Sequence, residues 1–136
     1  MQILRYMNRS LDEKLCSSYP QIFRDRNGDM KTTAMCWGFD CGDGWYWLID
    51  NLCSCIQKYI DENKHLKIQQ VVATQVKEKF GGLRFYYRGG DKIIDGMVWL
   101  AESLSYSICE ECGSTENVTQ SKGNWIYTRC EKCKGS

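Results

Sequence analysis

The chain has 136 residues and a mass of 15.8 kDa, enough for one compact domain or a domain with a small appendage. Hydrophobic residues make up 43% and charged residues 26%, which excludes wholesale disorder. Lys+Arg is 18 against Asp+Glu 17, a formal net charge of +1, and that excludes a protein whose whole surface coats nucleic acid.

In chain order, Ser10-Leu-Asp-Glu13 is a capping box that predicts a short helix from Leu11 to about Ser18, ended before Pro20. Asn27-Gly28 marks a turn, and Met30 to Phe39 is expected to be extended. The loop from Asp25 resembles half of a calcium loop, but Gly28 stands two positions early and position twelve is Cys36, so calcium is rejected. Asp43 is the expected N-cap of the next helix, and Asp40 and Asp43 together form a weaker candidate for a divalent metal. Trp45, Leu48, Ile49, Leu52, Cys53, Ile56, Tyr59 and Ile60 form an apolar stripe at helical period, so residues 44–62 read as a helix. Trp45 lies in its first turn, where it is free to face a ligand.

Residues 71–88 read as a β-hairpin about Gly81-Gly82, with a helix over 66–80 as the competing reading. The hairpin pairs Phe80 with Leu83, Lys79 with Arg84, Glu78 with Phe85 and Lys77 with Tyr86. Its core face then carries Val72, Thr74, Val76, Phe80, Leu83, Phe85 and Tyr87. Glu78 falls on that face and needs a partner. The opposite face carries Gln75, Lys77, Lys79, Arg84, Tyr86 and Arg88, and the span from Lys77 to Lys92 is locally basic. Such a face holds phosphates by charge and stacks a base on Tyr86, or it simply protects an exposed hairpin from aggregation. Asp91 caps a final helix to about Ser107, which runs straight into the first of two cysteine pairs.

Cys109-Glu-Glu-Cys112 and Cys130-Glu-Lys-Cys133 are CxxC pairs separated by residues 113–129, the spacing of a four-cysteine zinc ribbon. Gly113 follows the first pair, where a residue without Cβ lets backbone N–H groups approach the thiolates. The expectation is one structural zinc ion (Zn2+) on Cys109, Cys112, Cys130 and Cys133, closed to substrate. A disulfide reading would require export. MQILRYMNRSLDEK lacks the apolar centre of a secretory leader, and no apolar run approaches the roughly 18 residues of a spanning helix, so a cytoplasmic protein without a membrane partner is expected. Cys16, Cys36, Cys41, Cys53 and Cys55 show no such pattern and read as small hydrophobes. His65, the one histidine, reads as a solvated side chain. The cysteine unit is itself locally neutral, and Trp125 and Tyr127 alternate on an expected return strand, 124–129.

Three stretches carry a family resemblance: Gly38-Phe-Asp-Cys-Gly-Asp-Gly-Trp45, Gln75-Val-Lys-Glu-Lys-Phe-Gly-Gly-Leu-Arg-Phe-Tyr86, and Cys109-Glu-Glu-Cys-Gly113 with the closing cysteine pair. Together they resemble small accessory proteins of tailed bacteriophages and prophages. The resemblance implies action in a bacterial cytoplasm on something of the host. A non-enzymatic protein that counters bacterial defence follows, sequestering a nucleotide signalling molecule or occupying a host defence protein. Its expected ligand-binding residues are Trp45, Lys77, Lys79, Arg84, Tyr86 and Arg88. The alternative is a zinc-ribbon regulator that binds nucleic acid or transcription machinery. A nuclease or phosphodiesterase using Asp40, Asp43 and Glu78 is a third reading, unsupported by any catalytic motif. The fold class expected is α+β: two main helices on a small antiparallel sheet (1–107), with a zinc ribbon (108–136) docked on it.

Overall fold

The computed structural model describes residues 6–135; residues 1–5 and 136, the outer ends of the two expected units, lie outside it. Among the described residues the fold is α+β, with three α-helices, a three-stranded sheet and a two-stranded sheet.

Helix α1 is Arg9–Ser18, and its cap is Asn8, not Ser10. Asn8 is extended (φ −60°, ψ 147°) and its Oδ1 accepts from the Leu11 N–H at 3.0 Å. Asn caps as well as Ser, so the earlier of two competent residues starts the helix. The stretch expected to be extended from Met30 is instead folded into turns. Asp29 accepts from the Lys31 N–H, Thr33 Oγ1 accepts from the Met35 N–H, and a 3-10 turn spans Ala34–Trp37. Local side-chain acceptors of this kind compete directly with a strand's ladder. Phe39–Asp40 is the part that forms a strand, β1.

A 3-10 turn over Asp43–Trp45 leads into α2, Tyr46–Glu62. Its buried face is Leu48, Ile49, Leu52, Cys53 and Ile56, as the periodicity predicts. Asp43 does not cap α2; its Oδ1 accepts from the Asn8 N–H at 2.7 Å, tying the start of α1 to this turn.

The hairpin reading holds over the helical one. β2 is Val72–Lys79 and β3 is Gly82–Arg88. The two-residue turn is Phe80-Gly81, not Gly81-Gly82. Phe80 (φ +54°) and Gly81 (φ +83°) both take the left-handed region of a primed turn. Lys79 therefore pairs with Gly82, Glu78 with Leu83, Lys77 with Arg84, Val76 with Phe85 and Gln75 with Tyr86. Moving the turn by one residue keeps the alternation of side chains, so the inward set Val76, Leu83 and Phe85 survives. Phe80 does not; on the turn it is 67% exposed.

A bulge at Thr74 changes the rest of the inward face. Between Ala73 and Gln75 the register shifts, so the core takes Val71 and Ala73 where strict alternation expects Val72 and Thr74. Val72 is buried as well.

The sheet is mixed and not antiparallel throughout: β1 pairs in parallel with β2, placing Phe39 beside Val76 and Asp40 beside Lys77. Its outer edges are occupied. Met7 donates to the Phe39 carbonyl at 3.0 Å along β1. On β3, the Leu83 N–H donates to Ser105 Oγ (2.9 Å) and the Phe85 N–H to Glu102 Oε2 (2.8 Å).

Both acceptors belong to α3, Lys92–Ser105, capped as expected by Asp91, whose Oδ1 accepts from the Ile94 N–H. Ile94, Val98 and Ala101 of α3 join Leu15, Ile22, Phe23, Met35 and the inner faces of α2 and the sheet in one apolar cluster. Leu104, in the last turn of α3, is 44% exposed. Beyond α3 the chain forms β4, Val118–Gln120, antiparallel to β5, Thr128–Cys130. The expected return strand over 124–129 thus begins later, at Thr128.

Candidate metal centre and basic strand face

Cys109, Cys112, Cys130 and Cys133 come together: one ligand atom from each lies within 4.8 Å of all the others. The Cys112 and Cys130 sulfurs are 3.6 Å apart. Four sulfurs around one ion at ~2.3 Å would sit about 3.8 Å from each other, so the cluster has the size a tetrahedral thiolate site needs. Local backbone bonds build it. Gly113 N–H donates to the Cys109 carbonyl, Cys133 and Lys134 N–H groups donate to the Cys130 carbonyl, and the Cys109 N–H donates to Ser114 O. Burial pushes the Cys109 thiol up, but the N–H groups of Cys112 and Cys130, together with the Cys112 and Cys133 thiols, leave the group below its ordinary value. Cys133 is pushed up to about 12, first by its hydrogen bond with Cys130. The Cys109 thiol thus ionises more readily than those of Cys112 and Cys133, which are both raised.

The cysteine unit is fastened to the helices and sheet by hydrogen bonds. Glu110, 8% exposed, accepts from the Gly42 N–H through Oε2 (2.8 Å) and from the Gly44 N–H through its carbonyl (2.7 Å). A Cβ on Gly44 would stand 2.1 Å from the Cys109 carbonyl oxygen, so only glycine permits this approach. Thr128 Oγ1 donates to the Gly81 carbonyl (2.5 Å), and Gln120 Nε2 to the Tyr106 carbonyl (2.8 Å). Trp45 belongs to this seam, and its placement corrects the ligand-facing expectation. It is 0% exposed, and its indole N–H donates to the Ile108 carbonyl at 2.9 Å. A bulky ring with one polar atom fits where the core meets a carbonyl.

The basic residues of the hairpin share the outward face. Lys77 and Arg84 are direct cross-strand neighbours, with Tyr86 beside Gln75 on one side and Lys79 beside Gly82 on the other. Arg84 is held in place: Nη1 donates to its neighbour's carbonyl on Leu83 and Nη2 to Tyr106 Oη at 3.2 Å. Across Lys77 lies Asp40, whose carboxyl is raised by burial and drawn back by the Lys77 ammonium. Arg88 is engaged elsewhere, with Nη1 2.7 Å from Asp25 Oδ2. Of the five hairpin residues expected to bind, Lys77, Lys79, Arg84 and Tyr86 therefore form the continuous set, and Arg88 ends it with an ion pair.

The carboxylates weighed for catalysis each have a structural bond or neighbour. Asp43 holds Asn8, Asp40 lies against Lys77, and Glu78 Oε2 accepts from the Gly81 N–H at 2.8 Å. That last bond answers the need of Glu78 for a partner by stapling its own turn. Cys41 and Cys53 are buried core thiols, pushed well up by burial. Cys16 and Cys36 are half-buried, and Cys55 is exposed and does not pack. His65 is exposed in a 3-10 turn.

Two features had no signal in the sequence. Arg26 grips Asp12 through Nε and Nη2, both 3.1 Å from a carboxylate oxygen, while Nη1 donates to the Cys36 carbonyl. A pocket of about 270 Å³ opens beside the first cysteine pair, between Leu11, Tyr46, Trp47, Ile108 and Thr115. No described helix is long and apolar enough to cross a membrane. No family model, curated protein or solved structure matches the chain.

Proposed function

We propose that this is a non-enzymatic binding protein whose cysteine unit is a zinc ribbon with one structural Zn2+, and whose outward strand face takes a phosphate-bearing nucleotide. The observation that carries this reading is the cross-strand placement of Lys77 and Arg84 with Lys79 and Tyr86 on the same face. Three cations at strand spacing match a phosphate chain, and a half-exposed phenol ring beside them supplies a stacking surface. Zinc is favoured among metals because an all-thiolate set in an otherwise ordinary chain selects a soft, tetrahedral, redox-inert ion. The four thiolates leave no open ligand position, which supports a scaffolding role for the ion.

The motif resemblance to phage accessory proteins supplies the biological setting: sequestration of a host nucleotide signal in the bacterial cytoplasm, as a means of countering defence. Neutrality argues against the second reading, a nucleic-acid regulator gripping through the ribbon. From Cys109 onward Lys122, Arg129, Lys132 and Lys134 are balanced by Glu110, Glu111, Glu116 and Glu131, and the four thiolates add negative charge.

The test is incubation of the metal-loaded protein with cyclic and linear nucleotides, followed by heat release and analysis of what was held. The expected result is an unaltered nucleotide in stoichiometric amount, with native mass spectrometry showing one zinc per chain. Lys77→Ala with Arg84→Ala should weaken binding at least tenfold with the fold retained by circular dichroism, and with a modest drop in thermal midpoint from the lost Arg84–Tyr106 bond. Recovery of a chemically altered nucleotide would refute sequestration, and no shift in thermal stability with any nucleotide would refute the ligand class.

A further inference from the structure

The hairpin turn carries the basic face past its last lysine. Phe80 is 67% exposed, held there by the left-handed geometry that Gly81 completes. Lys79 Nζ stands 5.8 Å from the centroid of the Phe80 ring, so this ring belongs to the end of the row of cations. The same turn meets the cysteine unit: a Cβ on Gly81 would lie 2.9 Å from Ile126 Cγ2. Trp125, next to Ile126, is 53% exposed.

Aromatic surface is thus available at both ends of the cations. Tyr86, 40% exposed, stands at the Gln75 pair. From that pair to the turn the strand runs about 16 Å, at ~3.3 Å per residue. One nucleotide cannot reach from Tyr86 to Phe80. A strand of about three to five nucleotides does, at ~3.4 Å per stacked nucleotide and more when extended. Each ring face accepts any base, and the intervening ammonium and guanidinium groups follow a phosphate backbone.

We infer that the ligand of this face is a short single-stranded oligonucleotide, stacked on Tyr86 at one end and on Phe80 and Trp125 at the other, with phosphates along Lys77, Lys79 and Arg84. This rests on the nucleotide reading above and specifies its ligand class. A duplex is disfavoured because its bases are already stacked on each other and present only edges to a ring. Asp40, beside Lys77, limits the phosphate track on the β1 side, and the Arg88–Asp25 pair limits it along β3 beyond Tyr86.

The experiment is fluorescence anisotropy on the full metal-loaded chain with labelled oligoadenylates and oligothymidylates of one to eight nucleotides. Affinity is expected to rise at least tenfold between one nucleotide and four, then level off. Phe80→Ala with Trp125→Ala should remove that rise while leaving mononucleotide affinity within about twofold. Both side chains are largely exposed, and an unchanged thermal midpoint verifies the fold. Lys77→Ala with Arg84→Ala should weaken every length. A circular single strand that binds as well as a linear one identifies an interior stretch of a longer strand; preference for short 5′-phosphorylated or cyclic oligomers identifies free signal molecules. Equal affinity for one and four nucleotides overturns the oligonucleotide inference and leaves the nucleotide site standing. A length dependence that survives Phe80→Ala with Trp125→Ala overturns it too. No binding at any length overturns both.

Discussion

The helical body and the C-terminal cysteine unit are built on opposite terms. From Met7 to Ile108 the described chain buries aliphatic and aromatic side chains on every main element, in one cluster that includes two T-shaped ring contacts, Phe23 with Phe39 and Phe23 with Phe85. From Cys109 onward the described buried residues are Cys109, Glu110, Thr128 and Cys130, with no aliphatic or aromatic side chain among them. Apolar burial stabilises the first region at roughly 25 cal/mol per Å². The second has no such source, and a unit this small normally relies on a metal or on cross-links. The difference teaches that the seam matters in one direction. The body carries its own apolar core, whereas the cysteine unit is held by its clustered thiols and by hydrogen bonds to the body's carbonyls and glycine N–H groups.

Removal of the proposed metal is expected to have the largest effect on that contrast. A strong chelator, or Cys112→Ser, should abolish hydrogen-exchange protection across β4 and β5 while α2 and β2 stay protected. Structural zinc supplies on the order of 10 kcal/mol in small units, so the loss should be complete. Equal loss in α2 would break the comparison. Next comes Gly44→Ala, whose Cβ meets the Cys109 carbonyl at 2.1 Å. It should cost on the order of 3 kcal/mol in chemical denaturation, because backbone on both sides resists displacement. Trp45→Phe should cost about 2 kcal/mol, combining a small cavity with an Ile108 carbonyl left without its donor. Thr128→Val removes the bond to the Gly81 carbonyl and the one accepted from Gln120 Nε2, and should cost about 1 kcal/mol. Its signature is faster hydrogen exchange at the hairpin turn.

The smallest effect is a change in acid sensitivity confined to the body. Asp91 has its carboxyl below the usual 3.8, first through the Tyr59 hydroxyl and then through the Ile94 N–H. A lowered folded-state value means the stabilisation is present above the unfolded value and is lost as pH falls through the folded one. Asp91→Asn should therefore flatten the decline of thermal midpoint below about pH 4. An unchanged acid limb would assign that decline to other carboxylates.

The parts that were legible in the sequence are those where one local rule acts alone. The α2 stripe, the Asp91 cap and the paired CxxC spacing each specify their geometry within a few residues. Elsewhere two competent signals stood side by side and tertiary structure chose. Asn8 and Ser10 both cap, and the tie to Asp43 favours Asn8. Gly81-Gly82 reads as a primed turn, yet Phe80-Gly81 wins because Gly82 is needed in the strand, where a Cβ would lie 2.3 Å from the Tyr106 hydroxyl. Trp45 illustrates the remaining limit. Its position at a helix start says nothing of the carbonyl that Ile108 brings from 63 residues away. The bulge at Thr74 and the grip of Arg26 on Asp12 are likewise products of distant packing, without a sequence mark of their own.

The closed margins of the three-stranded sheet set how this molecule meets others. With Leu83 and Phe85 already donating to α3 and Phe39 already accepting from Met7, these margins have little to offer an incoming strand. Recruitment by strand addition, a common route by which small proteins seize extended peptides and also polymerise, is thereby closed at those positions. Encounters there must be made through side chains alone, which ties selectivity to the identity of a few surface residues and makes it quick to change by single substitutions.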